Sequence, residues 1–585
     1  MTDVADRANL DAHAPALPVG ADPRPSSPSG PTGPATPPTV VDAAAVRTPL
    51  DDWLSVQADL SAVERFSRAH DAGMAGRGTG TWHDVVPLGQ PGPDERYAFE
   101  VDLDACTGCK ACVAACNSLN GLDDDESFRS VGVLLGLDAA GAAVQQTVTT
   151  ACHHCDDPAC LTGCPVDAYE VDIATGIVAH LDDQCIGCGY CTLTCPYEVP
   201  RFNERLGIVR KCDMCRGRLA EGEAPACAQA CPTGAIAVRV VARAPAEVVM
   251  DATLPPRRLV PGAPDSSLTR PSSIYRSRRS LPSSMVAADA ATIPIAHGHP
   301  ALAVMLVLTQ LAIGALVVNQ GAEALAPDAA SALRPWGPLL GLAAGIMALG
   351  ASVLHLGRPR YAWRAVIGFR HSWLSREIVA FGAFAGLATL NAGVALLGPS
   401  PGLASRALGA ATVAAGVAGV SCSVLLYAVT GRAWWRVAVT GPKFALTAAV
   451  GGLAAVLAVA AVADPDPLVA PLAGLLVLAS GTKLGLEAAF LRHRRDDAVT
   501  ANTRTAGLLT GALARTTAWR FGLGTAGGIA IPLALLAVVG SGPAPRVVVG
   551  VAAVAALVTV VAGELAERLT FFTASVAPRM PGSRP

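Results

Sequence analysis

From residue 300 onward the chain carries eight apolar stretches near the ~20 residues a helix needs to cross a bilayer. No other feature limits its fold as much. They fall at 300–319, 337–356, 378–397, 407–429, 444–463, 468–490, 521–540 and 547–566. A helical bundle in water is a poor alternative, because eight such segments leave little polar surface to face solvent. The second half therefore reads as an all-α, eight-helix transmembrane domain over 297–581.

Arginine and lysine give an expected orientation, since cytoplasmic connections are enriched in them. The segment before span one holds six arginines (257, 258, 270, 276, 278 and 279), and the connection after span two holds five. Those after spans four and six hold three, Lys443 included, and six; the opposite connections carry one, one, none and one. This alternation puts both termini, and whatever precedes span one, on the cytoplasmic side of the cell membrane. Export is the alternative, because long folded domains can cross regardless of charge.

The first half is built differently and holds 16 of the 17 cysteines, leaving only Cys422 to the apolar half. Residues 1–46 are mostly Pro, Ala, Ser, Gly and Asp, too poor in apolar side chains to bury a core, so a disordered tail is expected. That tail has no continuous apolar run of the signal-peptide kind. Within 47–96, Trp53, Val56, Leu60 and Val63 recur at helical spacing behind Asp51 and Asp52. This predicts a short capped helix, packed on its own domain or docking a partner subunit. Residues 97–240 form the cysteine region. Residues 241–296 read as a Pro/Ser/Arg-rich linker whose run RSRRS, 276–280, is solvated or lipid-facing. A net charge of −3 with pI near 6.4 gives no reason to expect nucleic acid.

The cysteines form four groups. Cys106, Cys109, Cys112 and Cys116 are spaced C-x2-C-x2-C-x3-C, and Cys185, Cys188, Cys191 and Cys195 repeat that spacing. Cys152, Cys155, Cys160 and Cys164 widen the middle gap, and Cys212, Cys215, Cys227 and Cys231 widen it further. In such runs three thiolates bind one [4Fe-4S] cluster and the fourth reaches across to another. Zinc sites use two separated pairs, which four complete quartets do not resemble. A disulfide framework suits the expected cytoplasmic side poorly. Four quartets imply an α+β ferredoxin-like double module with four clusters. Lys110, Arg210 and Lys211 lie beside ligands and could raise cluster potentials, though solvated surface charge is the plainer reading. The sequence shows no Gly-rich nucleotide loop, no catalytic-triad pattern and no paired CxxCH for haem.

The stretches TACHHCDDPACLTGCPVDAY, DDQCIGCGYCTLTCPYEVP and RKCDMCRGRL with PACAQACPTGAI resemble the iron-sulfur subunit of the dimethyl sulfoxide reductase family of molybdoenzymes. HGHPALAVMLVLTQLAIGA, HLGRPRYAWRA, HSWLSRE and GELAERLTFF resemble the membrane-anchor subunit of the same family. The chain thus looks like a fusion of two subunits, the first resemblance covering about 95–240 and the second nearly all of 297–581. The family implies that outer groups pair with each other and inner groups pair together. Carried over, Cys106, Cys109, Cys112 and Cys231 hold one cluster, and Cys212, Cys215, Cys227 and Cys116 a second. Cys152, Cys155, Cys160 and Cys195 hold a third, and Cys185, Cys188, Cys191 and Cys164 a fourth.

The resemblance also implies that His355, in the HLG motif ending span two, belongs to a site for menaquinol or another quinol. Physical chemistry agrees, because a histidine can bond a quinol hydroxyl and take its proton near neutral pH. Capping the span is the plainer role. Arg358 is placed with the quinol site, although an interfacial, snorkelling anchor is the commoner role for such a residue. Lys483 and Glu487 lie four apart in span six and can pair or pass protons, and Glu564 sits in span eight without an assigned role. The expected partner is a molybdopterin-containing catalytic subunit that reduces an S- or N-oxide. The alternatives are the same relay run from a dehydrogenase into quinone, a cluster-driven transporter, and an anchor that binds no quinone.

Overall fold

Apolar side chains alternate through ERYAFEVD, which makes a strand, β1 (Glu95–Asp102), whose buried face needs partners from far along the chain. The computed structural model describes residues 85–582 apart from 88, 139, 244–257, 291, 398–401, 464–466, 497 and 543–544. The expected tail over 1–46 and the helix carrying Trp53 to Val63 lie outside the described residues.

Helix α1 (Ala111–Asn120) follows β1 and carries Cys112 and Cys116. Nine further strands are described: β2 (Ser130–Leu137), β3 (Ala143–Thr150), β4 (Tyr169–Val171), β5 (Val178–His180), β6 (Arg201–Asn203), β7 (Ile208–Arg210), β8 (Ile236–Ala242), β9 (Ile274–Arg276) and β10 (Val286–Ala287). They form four small sheets, ordered β8-β1-β9, β10-β2-β3, β4-β5 and β6-β7. β1 pairs antiparallel with β8 in the register Val101↔Ile236, which carries the first cysteine group to the end of the last. The hairpin β4-β5 aligns Tyr169 with His180 and brings the end of the second group to the start of the third.

The stretch expected to be a linker is folded over its described part. β9 adds to β1 in parallel, β10 pairs with β2, and Leu259, Val260, Ala263, Tyr275, Leu281 and Met285 are buried with Val101, Leu103, Leu134 and Val148. Three-residue strands carry too little periodicity to stand out among prolines and serines. Of the RSRRS run, Arg276 pairs with Glu100 and Arg279 with Asp104.

The membrane half consists of α2 (Pro300–Leu325), α3 (Trp336–Leu354), α4 (Trp373–Leu397), α5 (Leu403–Ala428), α6 (Val437–Ala463), α7 (Val469–Phe490), α8 (Ala514–Gly540) and α9 (Arg546–Thr573). All eight are long and apolar enough to cross a membrane. α2 and α6 form the centre, each 67% buried over its most apolar window. They meet through small residues: a Cβ on Gly314 would lie 1.8 Å from the Ala448 carbonyl oxygen. Between lipid-embedded helices, such close backbone approach replaces the hydrophobic effect as the packing force. α8 contains a π-turn at Ala526–Ala530, just before Pro532, where Gly527 and Gly528 abut Thr559 and Ser480. A π-bulge beside a proline is a known origin of such irregularity.

Both halves belong to one compact unit. The chain's end also returns to the cysteine domain, with Met580 fully buried beside Leu134 and Val148 and the Gly582 backbone against Gly132.

Candidate functional site

The fold gathers the sixteen cysteines into four sets. In the first, Cys106 has Cys112, Cys231 and Cys109 as charged neighbours. In the second, Cys116 adjoins Cys227 and Cys215, and Cys212 adjoins Cys116 and Cys227. In the third, Cys155 adjoins Cys152, Cys195 and Cys160, and in the fourth Cys191 adjoins Cys188, Cys164 and Cys185. These neighbours are compatible with the ligand sets that the family resemblance implies, and the β1–β8 and β4–β5 pairings bring the distant groups together.

Burial and mutual repulsion push most of these thiols up, Cys116 to about 12 and Cys106 and Cys164 to about 11. Buried thiolates at such spacing need bound positive charge to stay ionised. Backbone amides supply part of it: N–H groups of His154, Gly187 and Met214 point at the sulfurs of Cys152, Cys185 and Cys212, each at 3.4 Å. Ala168 and Ala235 do the same for Cys164 and Cys231 at 3.3 and 3.2 Å. Among the described residues no group of three or more His, Cys, Asp or Glu is tight enough for a single metal ion. A cubane cluster spreads its four sulfur ligands wider than one ion does.

The sets lie in a row. Cys112 neighbours Cys227, Cys212 neighbours Cys152, and Tyr169 lies beside Cys191, Cys160 and Cys164, bridging the third and fourth sets. Cys109, at the first set, is exposed. Lys211, for which solvated charge is the plainer expectation, is instead buried. Its Nζ lies 3.7 Å from Cys152 Sγ and donates to Cys212 O at 2.8 Å. Burial opposes its charge, but Cys152, Cys160, Cys212 and Asp213 outweigh that and raise its pKa. Arg210 pairs with Glu126 at 2.9 Å, and Lys110 is exposed. A second buried cation, Arg129, does not stand out in the sequence. It stacks on Phe99 and has Cys227, Cys112 and Cys212 as charged neighbours.

The fourth set sits against the membrane helices. Gly357 N–H donates to Gly187 O at 3.2 Å, Arg358 N–H to Ile186 O at 3.0 Å and Gly368 N–H to Pro165 O at 2.9 Å. Ser372 Oγ donates to Gly163 O at 2.8 Å, and Tyr190 OH to Leu426 O at 2.6 Å. A Cβ on Gly357 would lie 2.2 Å from the Gly207 carbonyl oxygen, so the glycine of HLG is what permits this backbone contact.

His355 follows the last residue of α3, close to the Cys188 backbone. Burial lowers its pKa, and the neighbouring Cys188 backbone partly offsets the fall. The ring lines a cavity of about 820 Å³, also bounded by Gly187, Glu198, His299, Arg432 and Phe572. Such a volume suits a small organic ligand. His299 and His355 face each other edge-on, with ring centroids 5.1 Å apart; His299 lies in the HGHP stretch, whereas Arg432 does not stand out in the sequence. Arg358 departs from expectation. It lines a separate groove with Asp182, Asp183 and Tyr361, and its guanidinium donates to Asp182 O at 2.7 Å. Its position at a chain turn aims it along the docking seam, away from the His355 cavity.

Deeper in the bundle, Lys483 pairs with Glu564 at 2.7 Å and with Glu487 at 3.5 Å. Arg520 bridges Glu487 and Glu564 at 2.8 and 2.9 Å, Lys443 pairs with Glu567 at 3.2 Å, and Arg568 pairs with Glu567. Thr447 and Gln310 complete the network through bonds to Arg568 of 2.9 and 2.7 Å. Another buried carboxylate, Glu377, is bonded by Ser423 Oγ.

Comparison with known proteins finds two family matches: a 4Fe-4S dicluster domain over residues 144–241, and the DMSO reductase anchor subunit (DmsC) over residues 297–573. Among individual proteins, a subunit of the anaerobic dimethyl sulfoxide reductase of Escherichia coli (strain K12) is 39% identical over 148 residues, 24% of this chain and 72% of that one. A formate dehydrogenase iron-sulfur subunit of Haemophilus influenzae is 35% identical over 190 residues, 28% of this chain and 61% of that one. The nitrate-inducible formate dehydrogenase iron-sulfur subunit of E. coli is 39% identical over 152 residues, 23% of this chain and 51% of that one.

Proposed function

Since this chain belongs to the dimethyl sulfoxide reductase family, as an iron-sulfur subunit fused to its multi-pass membrane anchor, we propose that it oxidises quinol at His355 and delivers the electrons to a separate molybdopterin catalytic subunit. Bound at the four cysteine sets, [4Fe-4S] clusters supply one-electron carriers. The observation that carries the reading is His355 in the wall of the cavity, next to the backbone of the cluster-set residue Cys188. Neutral His355 keeps one ring nitrogen with a lone pair, which can accept a quinol hydroxyl proton. Each quinol loses two protons and two electrons; His355 takes the first proton, and the second passes to water in the cavity. The row of sets gives the electrons an order: the Cys188 set, the Cys152 set, the Cys212 set, and last the Cys106 set, where the exposed Cys109 marks the face for the catalytic partner. Reduction of a sulfoxide there is the activity that the name of the dimethyl sulfoxide reductase relative suggests.

The formate dehydrogenase relatives support a second reading, in which electrons run the other way into quinone. A transporter has less support. Glu564 lies nine residues, about 13 Å of helix, from the end of α9, and beyond Val450 α6 carries only Gly, Ala, Val and Leu. The basic connections favour a cytoplasmic cluster domain, with export as the alternative.

The test is His355→Leu in the full chain with its catalytic partner. Menadiol-driven reduction of the clusters, followed by visible absorbance, is expected to slow at least 100-fold, while dithionite still reduces them. An unchanged menadiol rate defeats the quinol assignment. Iron and acid-labile sulfide are each expected near ~16 per chain, and tightly bound zinc in their place defeats the cluster assignment.

A further inference from the structure

We propose that His299 is a second quinone-binding residue, donating a hydrogen bond to the same ligand oxygen that faces His355. This rests on the His355 cavity being a quinol site, and it adds a residue and a division of labour. His299 precedes Pro300, the first residue of α2, and its backbone is held at φ 42°, ψ 60°, a left-handed conformation uncommon outside glycine and asparagine. Residues kept in such conformations cluster at ligand clamps. Here the backbone turns the imidazole into the cavity, between Phe572 at 5.3 Å and His355 at 5.1 Å. Its Nδ1 is buried and has no hydrogen-bond partner among the described residues. A buried, unpaired ring nitrogen on a ligand-sized cavity is placed to bond a polar ligand atom.

Geometry decides which atom it meets. The two hydroxyls of a quinol point away from each other across its ring, so imidazoles with centroids 5.1 Å apart cannot take one each. They converge on one oxygen. A quinol hydroxyl donates to the lone pair on His355 and accepts from an N–H of His299. Once it has become a quinone carbonyl it accepts only, and the His299 bond persists. Burial, with His355 and His297 beside it, drives the His299 pKa down to about 3, so the ring is neutral and offers one N–H at any physiological pH. His355 therefore handles the proton, whereas His299 holds both redox forms, and its loss affects affinity more than turnover.

The experiment uses the full chain with its catalytic partner in detergent. It measures menadione binding by calorimetry and menadiol oxidation by steady-state kinetics in H299A, H299N and H355L. Loss of one hydrogen bond predicts about tenfold weaker menadione binding and a KM for menadiol raised about tenfold in H299A, with kcat within a factor of about three. H299N, whose asparagine tolerates the left-handed backbone but is too short to reach the oxygen, is expected to behave alike, so the prediction survives if H299A fails to fold. Wild-type menadione affinity in either folded variant overturns the His299 proposal, as does a fall in kcat with unchanged KM. If H355L also leaves menadione affinity and menadiol oxidation intact, it is the quinol reading that fails.

Discussion

Lys211 is the residue whose role changes most between sequence and structure. In the sequence it is a basic residue next to a cysteine; in the fold, Val178 O and Cys212 O hold its ammonium near Cys152. A positive charge there stabilises the extra electron of a reduced cluster. At ~7 Å and an effective dielectric near 20 the interaction is about 2.4 kcal/mol, or roughly 100 mV for one electron. Lys211→Met is therefore expected to lower one cluster potential by about that much in an EPR-monitored redox titration, and Lys211→Arg to restore it. An unchanged set of potentials removes the tuning role. The cysteine ligand types were legible because thiolate spacing is local chemistry. The burial of Lys211 was not, because its partners come from β5 and from its own loop, which no local pattern links. Gly357 gives a sharper case. Gly357→Val drives a side chain into the Gly207 backbone, so menadiol-driven cluster reduction should fall while dithionite reduction persists.

At the scale of elements, the ionic network ties α6, α7, α8 and α9 together through four cations (Lys443, Lys483, Arg520, Arg568) and three carboxylates (Glu487, Glu564, Glu567). Removing one partner of a buried pair strands the other, at a cost of about 3–5 kcal/mol. Glu564→Leu is expected to lower the thermal unfolding midpoint of the solubilised protein clearly. Combining it with Lys483→Met should recover part of the loss, since the stranded charge goes with it. If the double variant is no better than the single one, the pair is not coupled as the distances imply. The sequence placed all eight spans, with the last ending at residue 566. α9 instead runs on to Thr573, its Glu567 and Arg568 paired inside the bundle.

On the scale of the whole molecule, the chain's end holds its halves together. Met580 is fully buried in the cysteine domain although it follows the last membrane helix. Met580→Ala should cost about 2–5 kcal/mol and appear as faster proteolysis of the cysteine domain; equal protection sinks the idea. The sequence alone determined the two chemistries, sixteen thiols at cluster spacing and eight spans of lipid-compatible length, because both are written in local composition and short periodicities. Only the tertiary structure decided where they meet. It folded the supposed linker as sheet edges, sent Arg358 to a docking groove, and set His299 opposite His355. Those outcomes depend on contacts between residues tens to hundreds of positions apart, and the burial that sets their chemistry exists only once the chain has closed on itself.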